Sequence, residues 1–294
     1  MNVKKQIKEL SNNLKFSIII PTWNNLEYLK LCINSIRKNS HFKHQIIVHV
    51  NEGIDGTIDW LNKQEDVDYT HSKENIGICY ALNISRSLLK TDYLMYMNDD
   101  MYVLPEWDKY LSDEIEAIGD NKFFLSATMI EPATTNPSAI EFNCGTSIET
   151  FDEEKLLSNF ETIEKADWNG ATWPPNIVHK DVWDLVGGYS IEFTPGMYSD
   201  PDFSMKLWQM GVRLFKGVSK SRVYHFAAKT TKKISKTKSD GYNTFINKWG
   251  MSSKTFTDKY LLRGKPFTGK LQNPKLNFST KSKNRIKKIT NSFS

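Results

Sequence analysis

The chain has 294 residues, enough for one large α/β domain or two small ones, and its apolar (39%) and charged (25%) fractions are ordinary for a soluble globular protein. No apolar run approaches the roughly 18 residues that span a bilayer, and the opening MNVKKQIKEL lacks the apolar stretch of a signal peptide. Cys32, Cys79 and Cys144 are far apart and without ligand spacing, so the expectation is a reducing cytosol with no disulfide frame. The net charge of +5 conceals a split: from Lys229 onward 17 Lys and Arg face 2 Asp, a net of +15, so the preceding 228 residues carry −10. An acidic body with a basic tail disfavours nucleic acid as a partner except through that tail.

In chain order, residues 1–15 are polar and read as a frayed helix. Phe16–Ile20 (FSIII) is a continuous apolar run closed by Pro21, the pattern of a parallel strand covered on both faces. Leu26, Leu29, Ile33 and Ile36 then form a helical stripe. Gln45–Val50 is a second strand, ending in Asn51, Glu52 and Gly53 and a short helix through Trp60 and Leu61. Val67–Thr70 is a third, followed by the loop from His71 to Gly77 and a helix from Ile78 to Leu88. Tyr93–Met97 is a fourth strand that stops abruptly at Asn98, Asp99 and Asp100. This alternation, with short loops at the strand ends, predicts a right-handed doubly wound sheet.

Two adjacent carboxylates cannot sit inside a buried strand, because each costs several kcal/mol to bury unpaired. Asp99 and Asp100 therefore belong at the strand's C-terminal end, where open α/β sheets bind ligands. Two carboxylates and an amide there suit a hard divalent cation with positions left for phosphate oxygens. Polar loops after Ile20, Val50 and Thr70 share that rim, which favours a nucleotide site.

Beyond the fourth strand, Pro105–Ile118 reads as a helix and Lys122–Ile130 as a strand. Ala139–Ile148 reads as extended, and the acidic Phe151–Lys165 as a mobile helix or lid. Asn176–His179 is a strand and Asp181–Val186 a helix stopped by Gly187. Asp200 and Asp202 open a helix striped by Phe203, Leu207 and Met210, a place that stabilises ionised carboxylates. Val212–Phe215 and Arg222–Tyr224 are short strands, the second ending in His225. Tyr242, Phe245, Ile246 and Trp249 mark a short helix packed on the body.

The ordered set P-T-W-N (from Pro21), N-E-G-x-D-G-T (from Asn51), N-x-G (from Asn75), M-N-D-D (from Met97), N-G-A (from Asn169), G-G-Y (from Gly187), D-P-D-F (from Asp200) and Y-H (from Tyr224) resembles the GT-A-fold glycosyltransferases of family 2, over about Phe16 to His225. The resemblance implies an α/β fold of the GT-A (Rossmann-like) type, a mostly parallel sheet flanked by helices, here with a basic C-terminal extension. It implies a polar segment 1–15, a transferase domain 16–228 with a nucleotide-binding half 16–103 and an acceptor half 104–228, and an extension 229–294. It also implies inverting transfer of a sugar from a nucleoside-diphosphate donor to an acceptor hydroxyl, helped by Mn²⁺ or Mg²⁺, with a glycan or lipid-linked acceptor in surface glycan or polysaccharide synthesis.

Residue by residue, the resemblance gives Thr22 and Asn24 donor contacts, and Glu52, or Asn51 if the register shifts, a place at base or ribose. Lys73, Asn75 and Gly77 form the loop beside the base. Asn98 and Asp99 belong to the donor-binding DxD-like turn, and Asp100 and His225 to the metal. Trp168, Asn169 and Gly170 fall on the acceptor or sugar side. Asp200 is the catalytic base. Asp202 is either an acceptor-side group or a simple N-cap, and Trp168, Trp173 and Tyr198 either stack on a sugar ring or fill the core. Three positions depart from the family pattern: Asn98 in place of the first Asp of DxD, Asn51-Glu52 in place of an Asp, and Ser199 in place of the Glu before the base.

The chemistry agrees. A diphosphate leaving group needs countercharge in a dry site, and a poor hydroxyl nucleophile needs a carboxylate within reach to take its proton. Two rivals are a nucleotide-sugar nucleotidyltransferase and a decayed binding protein. The first would want a basic glycine-rich loop where this chain has PTWNN; the second sits badly with both Asp100 and Asp200. The basic residues near the end, with scattered Phe and Ile, suit either peripheral contact with an anionic membrane from the cytoplasmic side or a solvated tail.

Overall fold

A computed structural model describes residues 3–8, 13–226 and 238–291. Its framework is one 11-stranded sheet. Strand β1 (Val3–Gln6) is followed by β2 (Ser17–Trp23), helix α1 (Leu26–Asn39), β3 (Gln45–Asn51), α2 (Thr57–Asn62), β4 (Val67–Ser72), α3 (Gly77–Ser85) and β5 (Tyr93–Tyr96). β4, β3, β2 and β5 lie side by side in parallel, so their C-terminal ends share one rim. The FSIII run is continuous because both its faces are covered: Ile18 and Ile20 are buried in one core cluster and Ile19 in the other. Burial of such a side chain contributes about 1.5–3 kcal/mol. Pro21 is tolerated in this central strand. Ile19 accepts a backbone bond from Met97, and the β5 ladder ends there, so the N–H that Pro21 lacks would have pointed past the last paired residue.

The second half adds β6 (Met101–Val103), α4 (Trp107–Ile118), β7 (Phe123–Glu131), β8 (Ile140–Glu141), α5 (Glu153–Asn159), β9 (Trp168–Asn169), β10 (Asn176–His179), α6 (Lys180–Val186), α7 (Ser199–Gln209) and β11 (Leu214–His225). β10 is antiparallel to β5 and β7, β11 is parallel to β7, and β6 is antiparallel to β11. The chain closes with α8 (Lys238–Trp249), α9 (Ser253–Thr255) running into a π-helical turn Phe256–Tyr260, and α10 (Phe278–Asn291).

Four expectations change. Val3–Gln6 is an edge strand antiparallel to β4 and not a helix; its polar, Lys-bearing sequence is what a solvent-facing edge requires. The extended reading of Ala139–Ile148 shrinks to a two-residue strand, Ile140–Glu141. The acidic Phe151–Lys165 is helical only over α5 and is packed down: Leu156 and the adjoining Phe160 are buried in a third core cluster, and Glu153 bonds the Tyr102 hydroxyl and Lys38. The two short strands at 212–224 are one strand, β11, interrupted by a bulge between Val218 and Arg222. Arg222 fills that bulge, donating to the carbonyls of Ser219, Phe160 and Ile163.

Of the basic extension, 229–237 and 292–294 lie outside the described residues. The stretch between them is built into the body, with Phe245, Ile246, Phe256, Leu261 and Leu271 in the same buried cluster as Leu94 and Phe203.

Candidate active site

The rim encloses a cavity of about 830 Å³. On the side of the parallel strands, Thr22 is the penultimate residue of β2 and its hydroxyl donates to Asp99 Oδ2 at 2.7 Å. Asn51 ends β3 and ties two loops together: its Oδ1 accepts from the Ile76 N–H at 2.9 Å and its Nδ2 donates to the Thr22 carbonyl at 3.4 Å. Asn75 caps the next turn by accepting from the Gly77 N–H at 2.9 Å. Gly77 has φ +75°, and a Cβ there would stand 2.7 Å from Pro195 Cα. Only glycine lets this loop meet the segment that leads into α7, and the Ile78 N–H then bonds the Pro195 carbonyl at 2.9 Å.

At the centre, strand register explains a carboxylate–imidazole–carboxylate row. Tyr224 pairs with Ile130 across β11 and β7, so the next residues, His225 and Glu131, are neighbours. His225 also pairs with Met101 across β11 and β6, which sets Asp100 against it. His225 Nδ1 lies 2.8 Å from Glu131 Oε1 and Nε2 lies 3.5 Å from Asp100 Oδ1. Burial alone would lower the imidazole pKa, but Asp100 and Glu131 override it and raise it to about 10. Burial also pushes the Glu131 carboxyl up, yet its bond with His225 wins and holds it below the usual range. Asp99 is raised to about 7, by burial first and by the charge of Asp100 second.

On the far wall, Asp200 sits in the first turn of α7. Burial raises its carboxyl to about 7, moderated by the Tyr189 hydroxyl, which donates to Oδ1 at 2.9 Å. Tyr96, buried in the cavity wall, feels the charges of Asp200, Asp100 and Asp99 together, and they help raise its hydroxyl after burial itself.

Thr22, Asn75, Gly77, Asn98, Asp99, Asp100, Asp200 and His225 therefore line one cavity. Trp173 and Tyr198 line it too, and the remaining expected residues lie elsewhere. Asn24 and Glu52 clamp each other, Nδ2 to Oε2 at 2.9 Å, while Asn24 Oδ1 accepts from Gly53 and Ile54, so Asn51 and not Glu52 lines the cavity. Lys73 is exposed and off the lining. Asp202 is fully buried beside α8, accepting from Ser190 Oγ at 2.6 Å and Trp249 Nε1 at 2.8 Å and pairing with Lys248 at 2.9 Å. Trp168 is core: its Nε1 donates to Thr128 Oγ1, and its ring occupies the space a side chain at Gly217 would need.

Asn169 and Gly170 act from beneath the cavity. Asn169 holds the Lys265 and Gly264 backbone and the Pro266 carbonyl. Gly170 has φ +92°, and a Cβ there would lie 2.7 Å from Arg263 Cα. This contact places Arg263, whose guanidinium stacks on Trp173 at 4.4 Å in the cavity wall. Sequence reasoning gave no role to Glu131, Tyr189 or Arg263. Glu131 carried the same signal as Asn98, a polar residue closing an apolar strand.

Among the described residues no group of three or more His, Cys, Asp or Glu side chains could hold a metal ion by itself. Asp100 and His225 still fit a shared ion. They are one hard oxygen donor and one imidazole nitrogen, with Nδ1 held by Glu131 so that Nε2 faces Asp100, an orientation typical of metal-ligating histidines. Two protein ligands leave positions for phosphate oxygens.

A parallel nucleotide-type sheet joined to an antiparallel half, with this acidic cavity across the rim, defines a glycosyltransferase of the GT-A fold. The family described as Glycosyl transferase family 2 matches residues 17–165. The chain belongs to that family. No curated protein matches it. Among solved structures, it resembles S. aureus TarS 1–349 with a TM-score of 0.58 and 14% identity, over 95% of this chain and 72% of that one. It resembles the same TarS fragment in complex with UDP-GlcNAc with a TM-score of 0.55 and 13% identity, over 95% and 73%. It resembles GalNAc-T7 with UDP, GalNAc and Mn²⁺ with a TM-score of 0.55 and 17% identity, over 73% of this chain and 44% of that one. At such identities the likeness shows the fold.

Proposed function

We propose that the chain transfers a sugar, with inversion, from a nucleoside-diphosphate sugar to a hydroxyl of a glycan or lipid-linked acceptor. The observation that carries this reading is that Asp99–Asp100 and Asp200 enter one cavity from different elements, the first pair beside His225 and the second alone against Tyr189. One side is built for a diphosphate and the other for a base.

Thr22, Asn51, Asn75 and Gly77 offer a hydroxyl, amides and close backbone to the nucleoside. Asn98 and Asp99 line the wall next to Asp100. Asp100 and His225 would hold Mn²⁺ or Mg²⁺, which when bound supplies the countercharge that a diphosphate leaving group needs. Asp200, with a carboxyl near 7, takes the proton of the acceptor hydroxyl as the new oxygen–carbon bond forms and the bond to the diphosphate breaks. Attack opposite the leaving group inverts the anomeric centre. TarS and GalNAc-T7 are seen with UDP, which makes uridine the first base to test.

The test is release of nucleoside diphosphate from a panel of UDP-, GDP- and dTDP-hexoses by the full chain with Mn²⁺. Release from one donor class, lost in Asp200→Asn, is expected. No release from any donor, or undiminished release by that variant, would oppose the reading.

A further inference from the structure

α10 is docked to the body by one face and presents another kind of face outward. Asn284, buried, accepts from Thr255 Oγ1 at 3.0 Å and the Ser252 N–H at 3.4 Å. With about 100° per residue, Phe278, Ile286 and Ile289 fall within about 60° of the direction opposite Asn284. They are 86%, 60% and 49% exposed. Lys283 flanks this apolar stripe on one side and Arg285 on the other, with Lys281 and Lys287 further round, all exposed. No Asp or Glu comes after Asp258 in the sequence.

An exposed apolar stripe is costly in water and is not covered by any part of the described chain. Bordered by cations on a helix that carries no acid of its own, it matches an interface that is apolar beneath an anionic surface. Among the described residues no helix is long and apolar enough to cross a membrane, so such a helix would lie on the surface.

We infer that α10 is a peripheral membrane-docking element, seated on anionic phospholipid through Phe278, Ile286 and Ile289 with Lys283 and Arg285 at the headgroups. The position of the helix gives this a consequence. Asn284 is anchored to Ser252 and Thr255, and the adjoining Ser253, Lys254, Thr257 and Asp258 line the cavity. Docking by α10 brings that side of the cavity towards the bilayer. Resting on the transferase reading above, this assigns the acceptor to molecules held at a membrane surface, lipid-linked glycans in particular.

The experiment is co-sedimentation of the full chain with phosphatidylcholine vesicles and with vesicles containing about one third phosphatidylglycerol, at low and high salt. It needs no nucleotide, so it reads the docking face separately from donor chemistry. The expected result is pelleting with the anionic vesicles only, weakened by salt. It should fall at least tenfold in a Phe278→Ser, Ile286→Ser, Ile289→Ser variant that keeps the wild-type circular dichroism and melting temperature. A Lys283→Gln, Arg285→Gln variant, which leaves the stripe intact, should lose most of the preference for anionic lipid. Equal pelleting with both vesicle types, none with either, or undiminished pelleting of the triple variant would overturn the inference and leave the stripe to a protein partner.

Discussion

The Tyr189 hydroxyl donates to Asp200 Oδ1 at 2.9 Å, and no other hydrogen bond or ion pair to that carboxylate forms among the described residues. A carboxylate buried with one neutral partner is held near 7, well above the ordinary 3.8. In the proposed role it must be ionised, so transfer should rise about tenfold per pH unit up to about 7 and level above it. Tyr189→Phe removes the bond that lowers this pKa and should move the rising limb to higher pH. A pH–rate profile of both proteins checks this.

The same shift has a cost in stability. A folded-state pKa raised above the unfolded one means stability is full below about 4 and is lost as pH rises through about 7. Asp200→Asn cannot ionise and can still accept from Tyr189. It should therefore melt above the wild type at pH 8 and close to it at pH 4, while transfer falls by about 10²–10⁴.

Asp202, two residues on, behaves differently. It is fully buried and held by Ser190, Trp249 and Lys248, away from the cavity. Asp202→Ala leaves the Ser190 and Trp249 donors without this acceptor and takes one of two carboxylates from Lys248, which keeps Glu192 at 2.7 Å, and should cost about 1–3 kcal/mol. Urea unfolding should show the loss, and nucleotide binding by the folded fraction should persist.

Gly170→Ala places a Cβ 2.7 Å from Arg263 Cα at φ +92°. The strain is expected to cost about 1–3 kcal/mol and to shift Arg263 on Trp173. A lower melting temperature with altered tryptophan emission is the predicted result.

Glu131→Gln removes the charge that orients His225, and should weaken metal-dependent nucleotide binding about 10–100-fold. Asp100→Ala should abolish the metal dependence, so that EDTA no longer changes the affinity. Titration of Mn²⁺ into each variant with nucleotide present checks both.

The first half of the fold was legible because β2 to β5 alternate with helices at short, patterned intervals. Asp99 and Asp100 stood out because two carboxylates cannot continue a buried strand, whereas Asp200 and His225 were singled out by the family resemblance, since a helix N-terminus and a strand end are ordinary places for them. What escaped depends on pairing between distant segments. Glu131 meets His225 only through the register of β7 and β11, and that register is set beyond a bulge filled by Arg222. Gly170 makes room for Arg263, far along the chain, which no local pattern announces. The choice between Asn51 and Glu52 turned on one residue with φ 62°, where the backbone swings Glu52 away towards Asn24. The strand at Val3–Gln6 was missed because an edge strand in water looks polar on both faces.

The central claim, a metal-assisted nucleotide-sugar site between Thr22 and His225, is tested most directly by calorimetric titration of UDP, GDP, dTDP and CDP into the full chain, each with Mn²⁺ and again with EDTA. Binding of one nucleotide with Mn²⁺ only is the predicted result, and it would name the donor base. Absence of metal-dependent binding for all four would contradict the account and remove Asp100 and His225 from the role given them.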